Sequence, residues 1–260
     1  MVDDFEWTLP DEESKGSLKL IAAVDISYAK KNNQNAVAAL IICEYPSFKV
    51  LYEDYETDTT EYPYVPGFLA FKEVPSLTIL FERLRANNPE LEPDVLLVDG
   101  NGILHTRGFG AASHIGVVMG LPSIGVGKTV FAVDGLTKRN VNDLHHENNV
   151  NALDTVNLVG DSGTVWGAAM KPTEDSEKPI IISQGHRISL ETAIEVVKLC
   201  IKFRIPEPIR IADVRSRERV KIEFEGYNPK HHHGPKKKEK KQKPKPKAKK
   251  FDADGFEIVE

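Results

Sequence analysis

Residues 95–100 read VLLVDG, four apolar residues in a row followed by an acid and a glycine. A strand with one solvated face alternates apolar and polar residues. An unbroken apolar run is instead covered on both faces, as in a parallel strand between helices. Upstream, Leu77, Leu80, Phe81 and Leu84 fall at helical spacing, and Pro75 sits near the start, predicting a helix from Pro75 to about Ala86. Before it, EYPYVPG (61–67) is turn-rich, and its two prolines exclude regular helix. Further back lie three β-rich runs, KLIAAVDISY (19–28), AVAALIICEY (36–45) and FKVLYEDYET (48–57). The gaps between them carry Lys and Asn, then Pro46 and Ser47, which predicts an antiparallel three-strand meander.

Downstream, Ala111–Met119 reads as a helix and Ser123–Gly127 as a strand. Residues 134–160 are polar and Asn-rich, which predicts a long loop. Thr164–Met170 and Pro179–Ser183 read as strands, and Leu190–Phe203 as an amphipathic helix. A meander followed by alternating helix and strand gives one α/β domain with a mixed β-sheet flanked by helices, in the element order of the ribonuclease H-like fold. The expected boundaries are an N-terminal extension at 1–18, the domain at 19–220, and a largely disordered Lys-rich tail at 221–260.

The formal net charge of −5 hides an asymmetry. Residues 236–250 carry ten Lys and one Glu, leaving 24 basic against 38 acidic residues elsewhere, about −14. Such a body does not attract nucleic acid by bulk charge. Binding must come from a local basic groove, from metal ions or from the tail. The tail would add salt-dependent affinity for nucleic acid, serve as a nuclear address, or only aid solubility. Cys43 and Cys200 lie far apart in apolar stretches, so no zinc ribbon or dithiol motif is present and both read as buried thiols. No apolar run approaches the ~20 residues of a membrane span, and the acidic start does not read as a secretory signal. The expectation is a protein of the cytoplasm or nucleus with no membrane partner.

Three acids stand in apolar company: Asp25 inside IAAVDISY, Asp99 at the end of VLLVDG, and Glu73 after GFLAFK. A lone acid of this kind most often caps a helix or pairs with a lysine. Three in one domain point to carboxylates converging on hard cations, the arrangement that activates water for phosphodiester hydrolysis. His186, in SQGHRIS, is either a loop histidine or a metal ligand or proton shuttle. Lys128, in SIGVGKT, resembles the end of a phosphate loop, but Pro122 stands where that motif requires glycine, which excludes a nucleotide-hydrolysing P-loop. The remaining role for Lys128 is a phosphate contact beside the acids. In PYVPG, prolines at 63 and 66 pin Tyr64 as a rigid aromatic suited to stacking on bases. DGNG (99–102) offers backbone groups with little bulk, suited to the close approach of a flipped base.

Five blocks together resemble the signature of the endonuclease V family: VDIS (24–27), YPYVPGFLAFKE (62–73), LLVDGNGILHTRGFGAASHIGV (96–117), PSIGVGKT (122–129) and SQGHRISL (183–190). They stand in the family's order across roughly residues 20–215. The resemblance implies a ribonuclease H-like fold and a Mg²⁺ centre, Mn²⁺ substituting. It assigns Asp25, Glu73, Asp99 and His186 as metal-binding catalytic residues, with Asp25 and Asp99 the direct ligands. Lys128 should contact the phosphate near the cut and complete the catalytic set. Pro63, Tyr64, Val65 and Pro66 should form a wedge between bases. Gly67, Gly100 and His105 should frame the pocket for hypoxanthine. The implied substrates are inosine-containing single-stranded RNA, deaminated DNA, or both. Cleavage is expected at the second phosphodiester on the 3′ side, leaving 3′-hydroxyl and 5′-phosphate. Two alternatives stay open: a reader of deaminated nucleic acid that does not cut, and a ribonuclease H-like nuclease without inosine preference.

Overall fold

The structure is a computed structural model and describes residues 1–11, 13–30, 32–59 and 67–226. The three β-rich runs form strands β1 (Leu20–Tyr28), β2 (Asn35–Glu44) and β3 (Lys49–Thr59), paired as the antiparallel meander. Helix α1 (Leu69–Asn87) begins six residues before the predicted start, so Pro75 sits in its interior, on an exposed position. VLLV is strand β4 (Val95–Val98), buried throughout and parallel to β1. Helix α2 (Ala111–Met119) and strand β5 (Ser123–Gly127) match their predicted bounds, and β5 continues the parallel pairing.

The expected loop at 134–160 is instead mostly ordered into elements. Helix α3 spans Lys138–Asn148 and strand β6 spans Thr155–Val159. The polar composition concealed a helix that starts on a capping box, Thr137 accepting from the Asn140 N–H and Asn140 reciprocating. Its buried contacts are few, mainly Val141 and His145. Strands β7 (Val165–Met170) and β8 (Ile180–His186) follow, then helices α4 (Leu190–Cys200) and α5 (Glu207–Phe224). Helix α5 carries the chain past the expected boundary at residue 220. The rest of the predicted tail, from 227, lies outside the described residues.

The sheet has eight strands in the order β3-β2-β1-β4-β5-β8-β7-β6, parallel only at its centre, and the fold is the α/β ribonuclease H-like fold. Side chains alternate across a strand, and this period of two divides the core. Ala22, Val24, Leu96 and Val98 pack under α1 and α2 with Leu80, Phe81, Leu84 and Ile115. Ile21, Ala23, Val95 and Leu97 face the other way, against α4 and α5 with Val196, Val197, Ile209 and Ala212. Asp25 and Asp99 continue the second series. Among the described residues, no helix is long and apolar enough to cross a membrane.

Candidate active site

Register brings the two acids together. Strands β1 and β4 run parallel with Val24 beside Val98, so the next residues, Asp25 and Asp99, leave the same edge of the sheet side by side. β5 ends at the same edge and delivers Lys128. Helix α5 crosses over this edge and supplies Asp213, whose carboxylate oxygen lies with those of Asp25 and Asp99 within 4.8 Å of one another. Lys128 donates a hydrogen bond to Asp99 Oδ2, and its Nζ stands 3.7 Å from Asp213 Oδ1. The three acids and Lys128 line an open cleft of about 570 Å³, rimmed by Lys30, Arg217 and Lys221.

Ser216, one turn after Asp213 on α5, donates to Asp25 Oδ2 and lies 2.8 Å from the Ser27 hydroxyl. Ser27 also approaches Asp25 Oδ2 at 3.3 Å. Burial pushes the Asp25 carboxyl above its ordinary range. The Ser216 hydrogen bond opposes that shift, and the neighbouring charges of Asp99 and Asp213 add to it. For Lys128, burial disfavours the ammonium, but the hydrogen bond and charge of Asp99, with Asp213 and Asp25, outweigh it and the net shift is upward.

Glu73 approaches from α1 and shares a small crevice with Asp25, Asp99 and Ala111. The Tyr28 hydroxyl donates to its Oε1 at 3.0 Å. Burial raises the Glu73 carboxyl to about 7, with further upward push from Asp25 and Asp99 against the lowering effect of Tyr28. Three carboxyls thus converge beside one solvent-exposed ammonium, with Glu73 in the adjoining crevice, and Asp25 and Glu73 are held above their ordinary pKa. Hard oxygen donors converging in this way, with their charged forms penalised by burial and mutual repulsion, suit a divalent cation.

His186 is not part of this cluster. It ends the antiparallel strand β8 and pairs with Ser123, the first residue of β5, whereas Lys128 follows the last. Five residues of strand, roughly 16 Å, separate the two ends. A Cβ on Gly116 of α2 would meet the His186 Cβ at 2.7 Å, so the histidine packs on that helix. Its neighbour Arg187 is paired to Asp4 at 2.9 Å and to the Gly120 carbonyl at 2.8 Å. The structure does not bring His186 to the acids, because strand direction, which the local sequence does not reveal, carries it to the far edge. Asp213 was missed for a related reason. It stands in IADVRSRERV among charges, with no apolar run to flag it, and α5 itself was not read as an element.

The glycine expectations divide. Gly67 has φ +79 and its carbonyl accepts from Arg107 Nη1 at 3.0 Å. An added Cβ there would stand 3.6 Å from His105 Nε2, so the structure brings Gly67 and His105 together. His105 is buried, its ring 5.1 Å from that of Phe131. A Cβ on Gly100 would make only ordinary contact with Ala111, at 3.5 Å. Pro63, Tyr64, Val65 and Pro66 lie outside the described residues.

A family profile described as Endonuclease V matches residues 5–214. Curated relatives include endonuclease V of mouse, 48% identical over 81% of this chain and 62% of that protein. Human endonuclease V is 45% identical over 78% of this chain and 72% of its own length. The chain therefore spans less than two thirds of the mouse relative. Among solved structures, the catalytic domain of human endonuclease V has a TM-score of 0.74 at 45% identity, covering 79% of this chain and 83% of that one. Endonuclease V of Ciona intestinalis, in complex with a 24mer DNA containing an inosine followed by a ribo-adenosine, also has a TM-score of 0.74, at 36% identity over 79% of this chain and 87% of that one.

Proposed function

The chain belongs to the endonuclease V family, and from that premise we propose that it is a metal-dependent endonuclease that cuts nucleic acid beside inosine. The observation that carries the reading is the convergence of Asp25, Asp99 and Asp213 from three separate elements onto one open cleft. Glu73 adds a fourth carboxyl from α1. These four residues would hold Mg²⁺, or Mn²⁺ in its place. When bound there, the cation supplies Lewis acidity toward the scissile phosphate and lowers the pKa of water.

The chain's own residues do the rest. Ser216 and Ser27 fix the Asp25 carboxylate, so its oxygen is positioned before substrate arrives. Lys128 presents an ammonium at the same edge and would meet the phosphate charge near the cut. Glu73, whose Oε1 accepts from the Tyr28 hydroxyl, would join the ligand set as a carboxylate once the cation displaces the proton that burial favours. Gly67, beside His105, and the DGNG turn that carries Asp99 would receive the flipped hypoxanthine. Inosine differs from adenosine in O6 and N1–H, and from guanosine in lacking the 2-amino group, which backbone donors and acceptors can distinguish. The wedge at 63–66 would hold the bases apart.

The cut is assigned to the second phosphodiester 3′ to inosine in single-stranded RNA, deaminated DNA or both, leaving 3′-hydroxyl and 5′-phosphate. The test uses matched RNA and DNA oligomers, each with one inosine, beside adenosine controls. Cleavage at that bond in Mg²⁺, absent in EDTA and in Asp25→Ala, is the expected result. Binding without cleavage would leave a reader. Equal cutting of the controls would leave a nuclease without inosine preference.

A further inference from the structure

Three phenylalanines are exposed together close to the site. Phe68 is 41% exposed, Phe71 66% and Phe109 46%. Phe68 and Phe71 lie at the start of α1, and Phe109 lies just before α2. His114 of α2 joins them, its ring 5.1 Å from Phe71 and 5.8 Å from Phe109, while Phe68 and Phe71 are 5.9 Å apart. The Arg107 guanidinium lies 3.8 Å over the Phe68 ring. Burial holds His114 below its ordinary pKa, so it presents a neutral ring. Leaving three such faces in water forfeits the stabilisation that burial would give, and clustered exposed apolar surface marks a binding face.

The position selects the occupant. Phe109 is two residues from Ala111, which lines the crevice of Asp25, Glu73 and Asp99. Arg107 hydrogen-bonds Gly67, beside His105. The strip is thus continuous with the proposed catalytic edge and carries a cation suited to phosphate. Aromatic residues and arginine also serve protein interfaces, so the continuity with a nuclease edge is what selects an unpaired strand. A row of planar rings with an arginine among them is the combination that binds unpaired nucleic-acid strands.

We propose that Phe68, Phe71, Phe109 and His114 form a stacking platform for the unpaired bases that flank the recognised nucleotide, with Arg107 neutralising the adjoining phosphate. The inference rests on the endonuclease reading and adds a second contact region to it.

The test measures anisotropy of the full chain with labelled single-stranded oligomers, inosine-containing and inosine-free, with Ca²⁺ replacing Mg²⁺ to keep them uncut. Stacking on an aromatic is worth about 5- to 150-fold in affinity per base. Phe71→Leu and Phe109→Leu should each weaken binding within that range, and Phe109→Trp should restore it. Leucine keeps the apolar bulk, so a merely structural or hydrophobic role would not produce this split. An oligomer with abasic positions on both sides of the inosine should bind wild type and the leucine variants equally.

Leucine variants that bind as tightly as wild type would overturn the platform and leave the endonuclease reading intact, since wild type would still bind the inosine strand. A loss on leucine substitution that persists on the abasic oligomer would also overturn it. So would concentration-dependent self-association that disappears in the leucine variants while strand affinity is unchanged, because the face would then belong to a second copy. Equal affinity of wild type for the two strands, with the leucine effect intact, would count against inosine recognition at this step while supporting the platform.

Discussion

Substituting Gly102 by alanine should collapse the turn that carries Asp99. A Cβ at Gly102 would stand 1.9 Å from the Gln184 carbonyl oxygen, 2.4 Å from its carbon and 2.9 Å from the Gly185 nitrogen. All three are backbone atoms of β8, so no side chain can turn aside. Reaching normal contact requires a shift of more than about 1 Å. That shift strains the bond from Gly102 N–H to Ser183 Oγ and that from Ile103 N–H to the Gln184 carbonyl, both 2.8 Å long. At about 1–3 kcal/mol for each buried group left unpaired, the loss is about 2–6 kcal/mol. For a domain of this size each kcal/mol lowers Tm by about 2–4 °C, so the expected drop is roughly 4–24 °C by thermal unfolding. Asp99 is three residues away, and a displacement near 1 Å at a reacting group costs ~100-fold in rate. Gly100→Ala is the control: its Cβ meets nothing nearer than Ala111 at 3.5 Å and Val98 at 3.8 Å, so Tm should stay within about 2 °C. Gly102→Ala with wild-type Tm and rate would refute the reasoning.

Asp213→Ala should lower cleavage by more than ~100-fold in a single-turnover assay, beyond the 10–100-fold typical of losing an outer partner of a metal site. Ser216→Ala removes such a partner of Asp25 and should fall within that 10–100-fold range, read as a shift of the rate's Mg²⁺ activation curve to higher concentration. The Glu73 carboxyl sits at about 7 in the fold against 4.5 ordinarily, so the native state binds its proton more tightly. Without metal, stability should therefore fall as pH rises from about 4.5 through 7. Glu73→Gln should raise the unfolding free energy in EDTA at pH 8, but not at pH 4.5, by about 3 kcal/mol. His186→Ala should retain cleavage within about threefold, because His186 lies at the opposite end of β5 from Lys128.

Elements whose burial is written into the local pattern were legible before the structure. The meander, VLLV, Ala111–Met119 and Ser123–Gly127 follow from apolar periodicity, and the ribonuclease H-like order follows from them. Asp25 and Asp99 were visible as acids in apolar company, one inside an apolar run and one at the end of another. Helix α3 was not, because its stability comes from a cap and two buried residues in an Asn-rich stretch. Helix α5 buries only Pro208, Ile209, Ala212, Ser216 and Val220 among many charges, too sparse a stripe to read. Asp213 became visible only when that helix crossed the sheet edge. His186 lies in one of the blocks that carry the resemblance, but its distance from the acids depends on the antiparallel direction of β8, a long-range property.

The most direct measurement is anomalous scattering from a crystal of the chain soaked in Mn²⁺. The account predicts a peak bonded to carboxylate oxygens of Asp25, Asp99 and Asp213, at about the 2.0–2.3 Å expected of hard-cation oxygen ligands, and its absence in Asp213→Ala. A peak at His186, or none at the three acids under conditions where the protein cleaves inosine-containing strands, would contradict it.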